Sequence, residues 1–320
     1  MKARFPVSDH CDGRRFFIPN YPSRGFRDVL RWKFTSQAAP WPRWVDLPPA
    51  PPLPPRPSGG LVATYVNHAT FLIQAPKVSI LTDPIYSERP SPVPWLGPRR
   101  VHEPGVVFEK LPSIDVVLLS HDHYDHCDLP TLRRLAGRDA PLAITPLGNG
   151  RLLRSAGFTR VVELDWWQAH KLAEDCAVTL TPAWHWSNRL TLPRNGRLWG
   201  GFHVRMGGTA AYFTGDTGFD DSNFKRVRER LGAPDLAMIP IGAYEPRWFM
   251  APAHCNPEEA VQIHLDLGAR QSVAMHWGTF QLTDESREAP VEALAAALAE
   301  KGISKEAFRA LSPGESLAVR

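Results

Sequence analysis

The sequence predicts an α/β protein, a four-layer αββα sandwich in which two mixed β-sheets pack together and helices cover both outer faces. Short runs rich in Val, Ile and Leu, typical of buried strands, recur between residues 61 and 276. Helical segments concentrate between pairs of strands instead of following every strand, which favours mixed sheets. With 320 residues and 43% hydrophobic side chains, the chain can bury a large core.

The predicted elements follow one another along most of the chain. The strands are expected at 61–66, 70–75, 78–82, 115–120, 141–145, 160–164, 177–183, 199–206, 209–214, 236–241 and 272–276. The helices are expected at 129–136, 148–156, 222–231, 257–267 and 290–301. The helix at 257 has the clearest start, with Asn256 as N-cap and Glu259 three residues later. We also expect Asp128 to cap the helix at 129, with Pro130 in its first turn.

Residues 1–60 differ in composition from residues 61–320, and we interpret them as an N-terminal arm beside one main domain. The arm carries ten Lys/Arg and four Asp, a net charge of +6, whereas the remainder carries −2. Nine prolines between Pro40 and Pro57 favour an extended path. This stretch is either a free linker or packed along the body, as Trp41, Trp44 and Leu53 suggest.

Residues 24–34 of the arm predict a short amphipathic helix. Its apolar residues are Phe26, Val29, Leu30 and Phe34, and its basic residues are Arg24, Arg27, Arg31 and Lys33. Such a helix suits the surface of an anionic membrane, with Trp32 at the interface. The alternative is a helix that packs on its own domain or on a second subunit.

Cysteine usage and hydropathy indicate the compartment. The four cysteines show no Cys-x-x-Cys spacing, and the first residues of the arm do not form a secretory hydrophobic region, so we expect no disulfide framework. No apolar run approaches the roughly 18 to 20 residues of a transmembrane helix. We therefore expect a cytoplasmic protein, soluble or bound peripherally to the inner face of a membrane.

The stretch Ser120-His-Asp-His-Tyr-Asp-His-Cys-Asp128 is the most informative segment of the chain. It directly follows a buried-strand pattern, which places its side chains at the carboxyl edge of a sheet, where open α/β folds place their sites. His121 and His123 suit one metal ion, and Asp125 and His126 suit a second. The alternative, a surface loop with chance histidines, does not explain three histidines within six residues.

Three more candidate ligands, His185, Asp216 and His276, each end a predicted strand. Each alone is unremarkable, since a lone histidine or a turn aspartate is common. Together with the loop they make five imidazoles and two carboxylates, the ligand set for two adjacent divalent cations, preferably Zn²⁺. Asp216 is the natural bridge, because a carboxylate can offer an oxygen to each metal. This set indicates a hydrolase that activates water at two metal ions.

Two residues are expected to support these ligands from behind. Asp83 follows a strand and either forms a simple Asp-Pro turn or accepts a hydrogen bond from the free ring N–H of a ligand histidine. His68 is expected to pack under the metal ions or to form a buried hydrogen bond.

Four residues are candidates for contact with the substrate. Tyr124 lies inside the metal loop and is expected to line the pocket. Asn188 and Arg189 follow His185, and an arginine grips phosphate oxygens in a bidentate way. His254 precedes a helix and is expected to act as a proton donor or phosphate ligand. The alternatives are a solvated loop arginine and a surface histidine.

The His-x-His-x-Asp-His loop, together with His185, Asp216 and His276, resembles the metallo-β-lactamase superfamily. Within it, the chain is similar to the N-acyl-phosphatidylethanolamine-hydrolysing phospholipase D family over about residues 60–320. The segments that carry this resemblance are 81–85, 163–167, 213–218, 239–250 and 276–280. The chain departs from the family at Asp122, usually asparagine, and at Asn67, usually glycine.

The resemblance implies an αββα fold with two similar halves and a two-zinc phosphodiesterase. The products from an N-acyl-phosphatidylethanolamine would be an N-acylethanolamine and a phosphatidic acid. In the mechanism we expect, Asp125 would orient the attacking hydroxide as well as bind metal, and Asp216 would take part in catalysis as the bridging carboxylate. Arg189 and His254 would help to neutralise charge on phosphorus. The implied partners are a phospholipid or small phosphodiester, and a homodimer is compatible with the family.

Three other functions compete with this interpretation. A lactonase with the same ligands would need no lipid-facing arm. A nuclease would need a basic groove, whereas residues 61–320 are slightly acidic, so we expect no nucleic-acid partner. A non-enzymatic, membrane-associated binding protein would not need all seven ligands.

Overall fold

The computed structural model describes residues 4–22, 24–190 and 193–320. The strands in these residues are β1 (Val7–Ser8), β2 (Cys11–Asp12), β3 (Leu61–Asn67), β4 (Thr70–Ala75), β5 (Val78–Thr82), β6 (Val116–Leu118), β7 (Leu142–Pro146), β8 (Val161–Leu164), β9 (Ala169–Ala173), β10 (Cys176–Thr181), β11 (Gly201–Met206), β12 (Thr209–Phe213), β13 (Leu236–Pro240), β14 (Gln271–Met275), β15 (Phe308–Arg309) and β16 (Ser316–Val319). The helices are α1 (Phe26–Thr35), α2 (Leu129–Asp139), α3 (Gly150–Ser155), α4 (Asn223–Leu231), α5 (Arg247–Met250), α6 (Pro257–Leu267) and α7 (Ala289–Glu300), with a 3-10 turn at Phe108–Lys110.

Fourteen of these strands form two seven-stranded mixed sheets. The first sheet has the order β16-β3-β4-β5-β6-β7-β8, and the second has the order β15-β14-β13-β12-β11-β10-β9. The first is antiparallel from β16 to β5 and parallel from β5 to β8. The second is antiparallel from β9 to β12 and parallel from β12 to β15. The two sheets therefore repeat one pattern, as the resemblance implied.

Three separate hydrophobic clusters define the four layers. Side chains of both sheets, such as Phe71 and Phe213, meet in the central cluster. Leu72, which neighbours Phe71 and points to the opposite face, joins α2 and α3 in an outer cluster. A third cluster lies between the second sheet and α4, α6 and α7, with Phe224 at its centre. The predicted four-layer sandwich is confirmed.

The element predictions differ from the structure where pairing is non-local or a side chain has another partner. The strand predicted to reach residue 183 ends at Thr181, because Pro182 cannot donate a ladder hydrogen bond. Edge strand β9 and the C-terminal strands β15 and β16 were missed. Asp128 occupies the N-cap of α2, but its carboxylate accepts hydrogen bonds from Ser87 and Thr131 instead of the helix amides. The Asn256 capping box of α6 is confirmed.

The N-terminal arm lies against the body over most of its described length. Phe16 is buried in the central cluster, and the backbone N–H of Val45 donates to Val101 O at 2.6 Å. The indole N–H of Trp41 donates to Glu285 O at 2.9 Å. Residues 1–3 and 23 of the arm lie outside the described residues. The boundary at residue 60 stays a prediction, since the contacts do not define separate folding units.

The state of the cysteines and the lengths of the helices agree with what we expect from the sequence. The four cysteines, Cys11, Cys127, Cys176 and Cys255, are free and buried. Within the described ranges, every helix is too short or too polar to cross a bilayer.

His10 links the arm to the body and generates a prediction about pH. Its ring contacts Asp9 at 2.6 Å and Asp165 at 2.7 Å, and stacks on Trp166. Although burial opposes the charged form, the Asp165 and Asp9 carboxylates raise the pKa of His10 above its usual value. The protonated ring therefore adds stability that is fully present below the unfolded pKa and lost as pH rises through the folded pKa.

We expect His10→Gln to lower the free energy of unfolding by about 1 kcal/mol at pH 6 and by less at pH 9, because the charged hydrogen bonds exist only when the ring is protonated. Urea unfolding at both pH values measures the difference. His170→Gln on β9, where no ion pair is formed within the described residues, is the control. An equal loss at both pH values would contradict the charge-based explanation.

Candidate metal centre

All seven predicted ligands meet at one edge of the sandwich, where strands of both sheets end. The loop after β6 supplies His121, His123, Asp125 and His126, and the segment after β12 supplies Asp216. His276 directly follows β14, and His185 follows β10. Residues that are 155 positions apart in sequence are brought together because the parallel strands of each sheet point their carboxyl ends to this edge.

The first group of donors consists of His121, His123, His185 and Asp216. His123 Nδ1 lies 2.9 Å from His121 Nε2 and 3.2 Å from His185 Nε2. Asp216 Oδ2 lies 3.8 Å from His121 Nε2 and 3.7 Å from His185 Nε2. Tetrahedral bonds of the length found for zinc and imidazole place neighbouring nitrogens about 3.3 Å apart. The four donor atoms lie within 4.8 Å of one another, at separations that fit four donors around a single ion.

The second group consists of Asp125, His126 and His276, with His68 beside them. Asp125 Oδ2 lies 3.6 Å from His126 Nε2 and 3.4 Å from His276 Nε2. Asp216 Oδ2 lies 3.1 Å from His126 Nε2 and 3.2 Å from His276 Nε2. The same oxygen of Asp216 thus faces both groups, which is the position a bridging carboxylate would take.

Buried polar atoms without a partner show that the residues fit metal ions. Among the described residues, His126 Nε2, His276 Nε2 and Asp216 Oδ1 are buried and form no hydrogen bond. Leaving such atoms unpaired costs free energy, so a native structure usually satisfies them. Burial, followed by His126 and His123, lowers the pKa of His121 well below its usual value. A neutral imidazole is the form that binds a metal ion.

Hydrogen bonds behind the donors fix their orientation. Asp83 Oδ2 accepts from His126 Nδ1 at 2.6 Å, and Asp83 Oδ1 accepts from the Ser120 N–H at 2.7 Å. His185 Nδ1 donates to Ala253 O at 2.9 Å. Asp83 therefore makes the kind of contact expected of it, rather than forming a turn alone. Such contacts select the tautomer that directs the other ring nitrogen to the ions.

His68 contacts two of the donor residues, Asp125 and His276, directly. Its Nε2 is 3.3 Å from Asp125 Oδ2, and its carbonyl oxygen accepts from the His276 N–H at 2.7 Å. His68, Asp83 and His276 all adopt positive φ angles, of 47°, 32° and 61°. Non-glycine residues rarely adopt this conformation and often do so at functional sites. Gly215 also has positive φ, and a Cβ there would lie 2.9 Å from Gly200 O.

The structure separates the four predicted substrate contacts into two pairs. Tyr124 and His254 line the cavity above the donors, and the His254 ring centroid is 5.1 Å from that of His185. Asn188 and Arg189 do not line it. Arg189 is buried and donates to Asp122 O and Cys127 O, so it holds the metal loop in place. The prediction that Asn188 and Arg189 face the substrate is therefore not supported by their positions.

Asp122 has a structural explanation for its departure from the family pattern. Its carboxylate accepts from Arg197 Nη1 at 2.8 Å, and both side chains are buried. The carboxylate also accepts from the Asn188 N–H at 2.9 Å. A charged residue is tolerated here because a buried cation lies beside it.

The donors open into a cavity of about 410 Å³ whose walls are mainly apolar. Several lining residues were not predicted as site residues: Tyr21, Arg24, Val29, Trp32, Trp186, Arg194, Phe249, Met250 and Leu282. Phe249 and Met250 lie in the 239–250 segment of the resemblance, which could have marked them. Arg194 carries no comparable signal in the sequence.

Comparison with known proteins identifies the family. The β-lactamase superfamily domain matches residues 79–277. A relative in Caenorhabditis elegans, N-acyl-phosphatidylethanolamine-hydrolyzing phospholipase D 1, is 39% identical over 232 residues, 70% of this chain and 65% of that protein. The mitochondrial protein of the same name in Saccharomyces cerevisiae is 40% identical, over 67% of this chain and 47% of that protein. The chain thus spans less than two thirds of the length of these relatives.

More distant proteins show the breadth of the family. A UPF0173 metal-dependent hydrolase of Anaeromyxobacter is 31% identical over 81% of this chain and 87% of that protein. The solved structure of Igni18, a metallo hydrolase from Ignicoccus hospitalis, superposes with a TM-score of 0.61 at 22% identity, covering 81% of this chain and 98% of that one. CmlA, a diiron β-hydroxylase from Streptomyces venezuelae, gives 0.62 at 22% identity, covering 82% and 54%. The chain belongs to the metallo-β-lactamase superfamily.

Proposed function

We propose that this protein is a phosphodiesterase of phospholipase D type that hydrolyses N-acyl-phosphatidylethanolamine to an N-acylethanolamine and a phosphatidic acid. One observation carries the proposal: the metal-type donors open into a cavity that combines apolar walls with two arginines, Arg24 and Arg194. A phospholipid presents the same combination, an anionic phosphate joined to acyl chains. The 39% identity to a phospholipase D of this substrate class supports the same assignment.

Two divalent ions, preferably Zn²⁺, would be held by His121, His123, His185 and Asp216 and by Asp125, His126, His276 and Asp216. When bound, such ions supply Lewis acidity and lower the pKa of water towards about 7. The chain itself positions the reacting groups. Asp83 orients His126, and Ala253 O orients His185. Trp32, Phe249 and Met250 line the cavity and exclude water from the acyl part of the substrate.

His254 is the residue of this chain best placed to exchange a proton with the leaving group. It lies within 4.8 Å of donor atoms of Asp216 and His276, and it faces the cavity. Its Nδ1 forms no hydrogen bond among the described residues. This nitrogen is buried, so a substrate oxygen that reaches the base of the cavity would supply its missing partner.

A lipid substrate also requires contact with a membrane, and exposed apolar side chains surround the cavity. Helix α1 contributes Val29 and Trp32 to the cavity wall, while its other side exposes Phe26 and Phe34, which are 76% and 86% exposed. Trp32 packs on Phe249 at 5.1 Å, so one face of the helix is held by the body. The outer face is thus left free for another partner.

Two further segments repeat this arrangement. Pro90 and Pro98, at the two ends of the proline-rich loop 90–98, line the cavity. Between them, Trp95 is 76% exposed and Leu96 is 66% exposed. Leu190, 82% exposed, lies between Trp186 and Arg194, which also line the cavity. Tryptophan and leucine beside basic residues favour the interface of an anionic bilayer. We therefore propose that the protein docks on a membrane with its cavity facing the lipid.

Replacing the bridging carboxylate tests the reaction. We expect Asp216→Ala to lower hydrolysis of N-acyl-phosphatidylethanolamine in mixed micelles by more than about 100-fold, because it removes a donor from both groups. Mass spectrometry of the released N-acylethanolamine and phosphatidic acid measures the rate, with a chelated sample beside it. Asp221→Ala, an exposed carboxylate nearby, is the control. Wild-type protein with two metals and no product release would exclude the lipid substrate.

Weakening the support of one donor tests the metal site separately from the substrate. We expect Asp83→Asn to lower affinity for the second metal ion by about 10- to 100-fold, because a neutral amide orients His126 less strongly than a carboxylate. Competition with a chromogenic chelator measures this affinity. Unchanged affinity would place Asp83 outside the metal site.

Membrane docking has its own test. We expect the double variant Trp95→Ala/Leu96→Ala to bind vesicles of phosphatidylcholine and phosphatidylglycerol about tenfold or more weakly than the wild type, since burying one such side chain contributes about 1.5–3 kcal/mol. Co-sedimentation at low salt measures binding. Leu265→Ser, an exposed leucine on α6, is the control. If neither the wild type nor the double variant sediments with vesicles, the docking proposal is wrong.

A further inference from the structure

We propose that Arg24 and Arg194 form an anion-binding subsite in the wall of the cavity, which binds the phosphate group of the lipid. The subsite rests on the proposed function, because a phosphate-bearing lipid is its ligand. It would hold the phosphate of the phosphatidic acid product and guide the substrate phosphate towards the metal donors. Neither arginine comes from the loop that supplies the first four donors.

A hydrogen bond connects the two residues, and both line the cavity. Both line it, together with Tyr21 and Trp186. Arg194 Nη1 donates to the carbonyl oxygen of Arg24 at 2.8 Å, and its guanidinium lies 4.3 Å from the Trp186 ring centroid. Arg24 Nη2 donates to Trp248 O. The arm and the body thus each contribute one cation to the same wall.

Among the described residues, these two arginines, unlike Arg197 and Arg247, have no carboxylate partner. Arg197 pairs with Asp122, and Arg247 pairs with Glu259. In the chain as described, neither Arg24 nor Arg194 lies within 4.0 Å of a carboxylate oxygen. A guanidinium offers five N–H donors, and each of these two spends only one nitrogen on a backbone carbonyl. Most of their donors therefore remain available.

Holding these two guanidinium groups in the cavity wall without a bound anion costs free energy. Arg24 Nε is buried and forms no hydrogen bond among the described residues. Burial lowers the pKa of Arg194 below its usual value, although a guanidinium stays charged at neutral pH. A desolvated, unpaired cation beside aromatic rings gains most from an anion that can accept several of its donors. Phosphate has that geometry and charge.

The apolar walls decide which kind of phosphate binds best. Trp32, Phe249 and Leu282 line the same cavity and can contact an acyl chain attached to the phosphate. A short-chain phosphatidic acid should therefore bind more tightly than inorganic phosphate. A neutral diacylglycerol should contact the same walls without using the arginines.

Calorimetry on the metal-loaded full chain tests the subsite. We expect Arg24→Gln and Arg194→Gln each to weaken binding of dihexanoyl phosphatidic acid by about tenfold, the loss of one charged hydrogen-bonded contact. Arg194→Lys should recover part of the loss, because the charge is retained. Dihexanoylglycerol should bind all variants equally. Arg226→Gln on α4, an exposed arginine outside the cavity, should match the wild type.

Three outcomes distinguish failure of the subsite from failure of the proposed reaction. Unchanged binding of the phosphatidic acid to a variant that combines Arg24→Gln and Arg194→Gln would overturn the subsite. Equal losses for the phosphatidic acid and the glycerol would also overturn it, because the arginines would then only support the wall. If the wild type binds the phosphatidic acid through these arginines but releases no N-acylethanolamine from its lipid, the subsite stands and the proposed reaction fails.

Discussion

The clustering of five imidazoles and two carboxylates at one sheet edge, with all but His123 and Asp125 buried, is the constraint on which the site depends. Ionised carboxylates are costly to bury unless they are paired or coordinate metals. His126 and His276 counter this cost by holding the pKa of Asp216 well below its usual range, although burial opposes the shift. Asp83, the Ala253 carbonyl and the positive φ angles of His68 and His276 all direct donors towards the same two positions.

The N-terminal arm forms part of the cavity wall and is more than a basic extension. Its Phe16 enters the central core, His10 contacts Asp165, and Trp32 donates to Asp284 at 3.0 Å. These contacts position Arg24 and Trp32 at the cavity wall. The positive charge of the arm therefore acts in two places, at the outer surface near a proposed membrane and inside the cavity.

All seven donors lie within the superfamily domain, whereas part of the cavity wall lies outside it. The superfamily domain matches residues 79–277, which contain all seven donors. Tyr21, Arg24, Trp32 and Leu282, which line the cavity, lie outside that range. The same fold also occurs in a diiron β-hydroxylase, so the fold alone decides neither the metal nor the reaction. The arm and the residues after 277 add walls to a cavity that the superfamily domain lines with residues such as Arg194 and Phe249, and we propose that both parts select the substrate.

The sequence by itself determined the layers, most strands and helices, and the seven donors, because these follow from local periodicity and from residue types placed at strand ends. It did not determine β16, which pairs with β3 across more than 250 residues, or the true partners of Asp128. Arg189 was predicted to face the substrate, yet it holds the carbonyls of Asp122 and Cys127. Arg24 and Arg194 face the cavity instead, and only the packing of the arm on the body brings them together. Spacing reports which face of one element a side chain occupies, whereas a cavity wall depends on how distant elements pack.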